Sequence, residues 1–272
     1  MSLGILNSIS SLNAENALSS TQANLQKVLT ELSTGLKINS GSDDAAGLSI
    51  ANGLQANISA LTQSSQNASD GAGLLQTADG ALSQVTTLLN RAVTLATEAS
   101  TGGLSGAQST ALDTEYQSIL TEIGNIGTTT NYNGNAIFGT TANVYTSDGT
   151  AAGSATIATT INALTTAALG LTGTALTAAG SAQTALADIS AAIGTVAANR
   201  GAIGAAVNQL TADTNVENTE VTNLTSAQNN IQNADIGQTV TQLTQYNVLQ
   251  QTGIQALQQS NQAQQAVLKL LQ

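Results

Sequence analysis

The stretch that decides the fold is residues 54–99, LQANISALTQSSQNASDGAGLLQTADGALSQVTTLLNRAVTLATEA, in which every seventh residue is Leu or Ala. These positions are Leu54, Leu61, Ala68, Leu75, Leu82, Leu89 and Ala96. A sustained seven-residue repeat is typical of long helices that pack side by side. The fourth-residue positions are mixed, with Ile58 and Val93 but also Asp79 and Thr86. The pattern therefore predicts a helix packed in a bundle.

A second seam, in alternating steps of three and four residues, runs from Leu186 to Ile231 and includes Arg200 and Glu217. Its length matches the first seam, so the two can pack as antiparallel helices. Shorter spacing at Leu112, Tyr116, Ile119, Ile123 and Ile126 predicts a third helix. The fold class is therefore mainly α, a long antiparallel helical bundle or coiled coil formed by the N- and C-terminal halves, with a small central segment containing a β-hairpin.

Glycines interrupt the second seam at Gly194, Gly201 and Gly204. Each costs about 1 kcal/mol relative to Ala in a helix interior. We therefore expect them to mark close approach of another backbone. Upstream, Gly71 and Gly73 lack the third glycine and the preceding strand of a dinucleotide-binding fingerprint, and a packing role is favoured for them.

The composition excludes several classes of protein. The chain has no Cys, His, Pro or Trp, so it lacks the commonest metal ligands and the thiol nucleophile. Five basic residues against sixteen acidic ones give a net charge of −11, which disfavours nucleic-acid binding. We predict no catalytic residues, no metal, no cofactor and no membrane span. The N-terminus also lacks the pattern of a cleaved secretory signal, which predicts another export route.

The centre of the chain, residues 139–181, is dominated by Thr, Ala and Gly and has Asp148 as its one charged residue. Alternating stretches at 142–146 and 154–161 predict short strands. Asn133-Gly134, just before this segment, is a turn signal.

Both ends carry apolar helical stripes but almost no charge. Residues 236–272 contain 14 Gln or Asn residues and one charged residue, Lys269. Amide and hydroxyl side chains cost less to bury against protein than ions do, so these faces suit assembly. The predicted polymerisation residues are Leu18, Leu25, Leu29, Leu32, Val240, Leu243, Ile254, Leu257, Leu268 and Leu271. We expect both ends to be disordered in the monomer and to order on assembly.

Residues 32–47, LSTGLKINSGSDDAAG, resemble the N-terminal signature of bacterial flagellins. The resemblance resumes at Asn199-Arg200-Gly201 and in residues 231–235, IQNAD, and 249–253, LQQTG. It covers residues 1 to about 138 and about 183 to 272, and the centre matches nothing specific. We read Asp43-Asp44 within the signature as a turn and helix cap rather than a metal pair.

The resemblance implies a secreted, self-assembling subunit of the extracellular filament used for bacterial motility. It implies these segments: 1–46, an inner-tube helix and connecting spoke; 47–138, the N-terminal part of a helical shell; 139–181, a short variable segment; 182–232, the long C-terminal shell helix; 233–272, a second inner-tube helix. It also implies unfolded export through the flagellar type III apparatus. An export chaperone, a filament cap and hook-junction proteins would be the partners.

Two alternatives share some of these features. A hook–filament junction protein typically has Pro after the paired Asp, where this chain has Ala45. A secreted coiled-coil translocator or needle-tip protein would not carry the signatures at both ends.

A further stretch, with Arg91, Leu95 and Glu98 and with Glu115 on the next helix, aligns with the segment through which some flagellins bind a host innate immune receptor. Val93-Thr94 stand where the recognised versions have a charged pair. We therefore favour lateral packing between subunits for these residues over receptor binding.

Overall fold

The structure is a computed structural model that describes residues 9–150 and 152–270, without the side chains of Gln264 and residues 267–270. The described residues form α1 (Ile9–Thr34), α2 (Ala45–Ala99), α3 (Gly106–Thr129), β1 (Asn131–Tyr132), β2 (Asn135–Ala136), β3 (Thr140–Ser147), β4 (Ser154–Ile161), α4 (Ala179–Gln232) and α5 (Ile236–Leu270). The predicted fold class is confirmed. Because Pro is absent, α2 and α4 continue unbroken for 55 and 54 residues.

The chain divides into two compact units. The first comprises the described parts of Met1–Gln55 and Leu224–Gln272, and the second is Ala56–Asn223. These limits fall inside α2 and α4, whereas the predicted boundaries after residues 46 and 232 lie near the breaks between helices.

The second unit owes its stability to a long apolar core between α2, α3 and α4. Leu75, Leu82 and Leu89 are at most 1% exposed, as are Ile189 and Val196 on α4. Fully burying one such side chain stabilises a fold by about 1.5–3 kcal/mol. The heptads thus form the predicted seam, and this unit has a core of its own.

Polar pairs within the seam show that α2 and α4 are antiparallel. Arg200 donates from Nε to Asp79 Oδ1 at 2.7 Å and from Nη2 to Oδ2 at 3.2 Å. Nearer the N-terminus of α2, Ser64 donates to Glu217, which lies later in α4. The Arg200 guanidinium lowers the pKa of Asp79, although both side chains remain more than a third exposed.

Both predicted features around the centre are confirmed. β1 and β2 pair through a tight turn in which Asn133 and Gly134 both have positive φ, at 50° and 79°. β3 and β4 form an antiparallel hairpin whose register runs from Thr140 opposite Ile161 to Ser147 opposite Ser154. The rest of the central segment, residues 162–178, has no strand and buries four leucines. These are Leu164, Leu169, Leu171 and Leu176.

The hairpin packs on α2 at Gly71. A Cβ added to this buried glycine would collide with Val144 of β3. The predicted packing role of Gly71 is therefore confirmed.

The glycines of α4 differ from expectation. Gly194, Gly201 and Gly204 are exposed, and a Cβ at any of them would meet no described atom within 4 Å. The expected close backbone approach is thus not made within the described chain, because these residues lie on the face of α4 that points away from the core.

Candidate assembly surface

The first unit is built on an antiparallel pairing of α1 with α5. Near the start of α1, Ser11 Oγ lies 2.8 Å from Ser260 Oγ. Beyond the other end, Lys37 N donates to Gln232 O at 2.7 Å and Ala234 N donates to Gly35 O at 2.9 Å. Backbone and side-chain hydrogen bonds therefore fasten both ends of the pair.

The seam between α1 and α5 has coiled-coil spacing. Less exposed residues recur on both helices at alternating steps of three and four. The members of this repeat are Ser11, Ala14, Leu18, Thr21, Leu25, Val28 and Leu32 on α1, and Thr239, Leu243, Tyr246, Gln250, Gly253, Leu257 and Ser260 on α5; Glu31 and Gln242 are also partly buried but lie beside it. Small members allow close approach, since a Cβ at Gly253 would lie 3.4 Å from Leu18 Cδ1.

This seam buries little. Among described side chains, Val28 is the one buried residue of α1 and Thr239 the one buried residue of α5. The apolar burial that stabilises the second unit has no counterpart here.

Large apolar side chains instead remain exposed on the first unit. Of the eleven exposed ones among the described residues, nine belong to this unit, and the other two are Tyr145 and Val216. The nine are Ile9, Leu12, Leu29, Ile50, Ile236, Val240, Val248, Leu249 and Ile254. Val240, Val248 and Leu249 line one shallow groove along α5. A concentration of exposed apolar groups on one unit indicates an interaction surface.

Charge is scarce around these apolar groups. The charged residues of α1 are Glu15, Lys27 and Glu31, and α5 has none before Lys269. The remaining surface of both helices is made of amides, hydroxyls and small side chains, which a protein partner can cover without desolvating ions.

The predicted polymerisation residues fall into two groups. Leu18, Leu25, Leu32, Leu243 and Leu257 are partly buried in the seam between α1 and α5. Leu29, Val240 and Ile254 are 42–47% exposed and point away from it. The side chain of Leu268 and the whole of Leu271 lie outside the described residues. Sequence reasoning missed the exposed Ile9, Leu12, Val248 and Leu249. All four lie outside the heptad positions of the seam, and this register is the signal that could have identified them as outward-facing.

The loop before α2 gives Asp43 and Asp44 the predicted turn and capping roles. Asp43 Oδ2 accepts from the backbone N of Asn39 at 3.2 Å and of Ser40 at 3.0 Å, and Lys27 Nζ lies 3.1 Å from Oδ1. The hydrogen bond from Lys27 is the main cause that lowers the pKa of Asp43, followed by Ser40 and Asn39. Asp44 Oδ1 accepts from the backbone N of Gly47 at 2.9 Å, at the start of α2.

The second candidate surface lies on α2 and α3. Arg91 and Glu115 are exposed and joined by an ion pair, with Arg91 Nη2 2.7 Å from Glu115 Oε1, and Glu98 is exposed nearby in sequence. For Leu95, the structure corrects the prediction of a contact with a receptor or a neighbouring subunit. This residue is 1% exposed and belongs to the core, because packing of α2 within the second unit covers it. Its side chain is therefore not available to a partner of the folded chain.

None of the described helices combines the length and apolar character needed to cross a bilayer. In the part of the chain that the structure describes, no group of three or more acidic side chains is arranged to hold a metal ion.

Comparison with known proteins accounts for most of the chain. Residues 5–143 match the family model of the bacterial flagellin N-terminal helical region, and residues 186–271 match the family model of the bacterial flagellin C-terminal helical region. The intervening residues, which include most of the β3–β4 hairpin, lie outside both matches.

Individual flagellins are similar at the sequence level. Flagellin 1 of Proteus mirabilis is 40% identical over 124 residues, which are 46% of this chain and 34% of that protein. The B-type flagellin of Pseudomonas aeruginosa is 40% identical over 146 residues, 52% of this chain and 30% of that protein. The aligned part of this chain thus spans about a third of these relatives.

A crystal structure of Bacillus cereus flagellin aligns with 56% of this chain and 88% of its own, at 30% identity and a TM-score of 0.49. The two matched regions together cover more than half of the sequence and include α1, α2, α3, α5 and all of α4 except its first seven residues. The chain belongs to the bacterial flagellin family.

Proposed function

We propose that this chain polymerises into the extracellular bacterial flagellar filament and acts there as a structural subunit rather than an enzyme. The observation that carries the proposal is the surface of the α1–α5 pair, which exposes apolar side chains in a nearly uncharged setting. Membership of the flagellin family indicates which polymer the chain forms. Burial of the exposed apolar surface gives a physical reason for it to assemble.

Two sets of residues have different tasks in this proposal. The seam residues, such as Leu25 and Leu257, hold α1 against α5 within one subunit. The outward-facing residues, such as Leu29 and Val248, contact neighbouring subunits. Burial of each exposed apolar side chain in the polymer stabilises a contact by up to about 1.5–3 kcal/mol, repeated in every subunit.

The test replaces an outward-facing residue by a charged one. Val248 is 54% exposed on α5, so Val248→Asp leaves the fold of the monomer intact but places an ion in the subunit contact. We expect this variant to remain soluble at concentrations at which the unmodified chain sediments as filaments, as checked by ultracentrifugation and electron microscopy.

Thr172→Asp is the matched control. It adds the same charge at an exposed position outside both matched regions. It should form filaments normally, and normal filaments from Val248→Asp would refute the assignment of α5 to the subunit contact.

We further propose that the chain leaves the cell unfolded through the flagellar type III apparatus, with a chaperone on its C-terminal segment and a cap at the growing tip. The low apolar burial of α1 and α5 supports this, because helices stabilised mainly by partners are easily kept unfolded before assembly.

For Arg91, Glu98 and Glu115 we propose a lateral contact between subunits rather than receptor recognition. Arg91 and Glu115 already satisfy each other's charge, and Leu95, the apolar residue of the stretch, is buried. Surface plasmon resonance with the host receptor ectodomain should therefore detect no binding of the monomer at micromolar concentration. Micromolar or tighter binding that is lost in Arg91→Ala would show the opposite.

A further inference from the structure

A buried carboxyl group lies in the second unit where the apolar core ends. Glu217 of α4 is 7% exposed and Ser64 of α2 is 2% exposed. Ser64 Oγ donates its proton to Glu217 Oε1 and accepts the backbone N–H of Ser147, at 3.0 Å, from the end of β3. One serine therefore joins the hairpin to both long helices.

The other carboxyl oxygen of Glu217, Oε2, receives no hydrogen bond from the described residues. Oε2 is also inaccessible to solvent. An ionised carboxylate whose oxygen is buried without a donor carries a desolvation cost, and a protonated one carries much less.

The ionisable groups around Glu217 do not offset this cost. On α4, the neighbouring charges are Asp213 and Glu220. On α2, no ionisable residue occurs between Asp44 and Asp70, and the acidic residue of the hairpin, Asp148, accepts hydrogen bonds from Thr150. Burial raises the pKa of Glu217, the Ser64 hydrogen bond lowers it, and Asp213 and Glu220 raise it further.

We propose that Glu217, Ser64 and Ser147 form a proton-sensitive latch that fastens the end of β3 to the α2–α4 pair. With Glu217 protonated, the carboxyl group stays buried and keeps Ser64 in place to accept the Ser147 N–H. With Glu217 ionised, the carboxylate gains hydration by turning outwards, and Ser64 loses its acceptor. The latch belongs to the folded subunit and does not depend on polymerisation.

The direction of the pH effect follows from proton linkage. The latched state holds the Glu217 proton more tightly than an open state, in which the group has an ordinary pKa near 4.5. The latch is therefore strongest below that ordinary pKa and weakens as the pH rises towards the raised one. Between the two values, the ratio of latched to open states falls by up to about tenfold per pH unit, and then it levels off.

The test follows the Ser147 amide in the full-length monomer by NMR hydrogen exchange between about pH 5 and about pH 8. After correction for intrinsic exchange, its protection factor should fall with rising pH in the unmodified chain. In Glu217→Gln, which keeps an oxygen acceptor but does not titrate, protection should be independent of pH. Glu122→Gln, at an exposed acid on α3, should behave like the unmodified chain.

A second variant separates the latch from simple loss of folding. Ser64→Ala removes the hydrogen bond that lowers the Glu217 pKa, so the carboxyl carbon of Glu217 should titrate at higher pH than in the unmodified chain. Ser147 protection should also drop, with helical circular dichroism unchanged. The proposal is overturned if Ser147 protection in the unmodified chain does not vary with pH, or if Glu217→Gln retains the same variation.

Discussion

Gly71 shows how one absent side chain positions an element of this fold. Val144 of β3 occupies the space that a Cβ at Gly71 would need, so the hairpin rests directly on the backbone of α2. Val144 is itself 8% exposed and joins the hairpin to the core.

Gly71→Ala should destabilise the second unit by about 1–3 kcal/mol, because the new methyl group has to displace Val144. Urea denaturation followed by circular dichroism measures this change. The double variant Gly71→Ala with Val144→Ala should be more stable than the sum of the single changes predicts, since the second change removes the atoms that collide. Additive losses would show that the contact does not limit the packing.

Gly194→Ala is the matched control for this pair. The same change lies in a helix interior but in open space, so it should stabilise the monomer by about 0.5–1 kcal/mol. A destabilised Gly194→Ala monomer would mean that the helix cannot accept Ala there for a reason other than space.

At the scale of elements, the two units use the same seven-residue repeat with different side chains. The seam of α2 and α4 consists mostly of Leu, Ile, Val and Ala, and it contains fully buried side chains such as Leu82, Leu89 and Ile189. The seam of α1 and α5 mixes Leu with Ser, Thr, Gln and Gly, and it leaves most positions partly exposed. The first composition gives a stable core, whereas the second gives a pairing that further partners can complete.

Periodicity in the sequence was sufficient to predict the long helices, their antiparallel pairing and the hairpin. It could not separate Leu29 from Leu25 and Leu32, because all three fit one broad helical face and only the position of α5 decides which of them is covered. Leu95 was misplaced for a related reason. Its burial depends on tertiary packing within the second unit, which motif alignment does not include.

Some side-chain pairs could have been inferred from the seams. Asp79 and Arg200 occupy seam positions on two helices predicted to be antiparallel, so their opposite charges indicate a pair and a register. Ser64 lies outside the heptad positions of α2, and its position between Glu217 and the hairpin is evident only in three dimensions.

At the scale of the whole molecule, the two units differ in how much apolar surface each buries within one chain. The second unit carries its own apolar core. The first unit presents the exposed apolar and uncharged polar surface that a polymer would cover. Assembly should therefore change the stability of the first unit much more than that of the second.

Backbone amide exchange on monomer and polymer tests this division most directly. We predict that α1 and α5 exchange rapidly in the monomer and become strongly protected in the filament. The core segments of α2 and α4, around Leu82 and Ile189, should be protected in both forms. Equal protection of α1 and α5 in monomer and filament would contradict the account, because assembly would then not be what stabilises them.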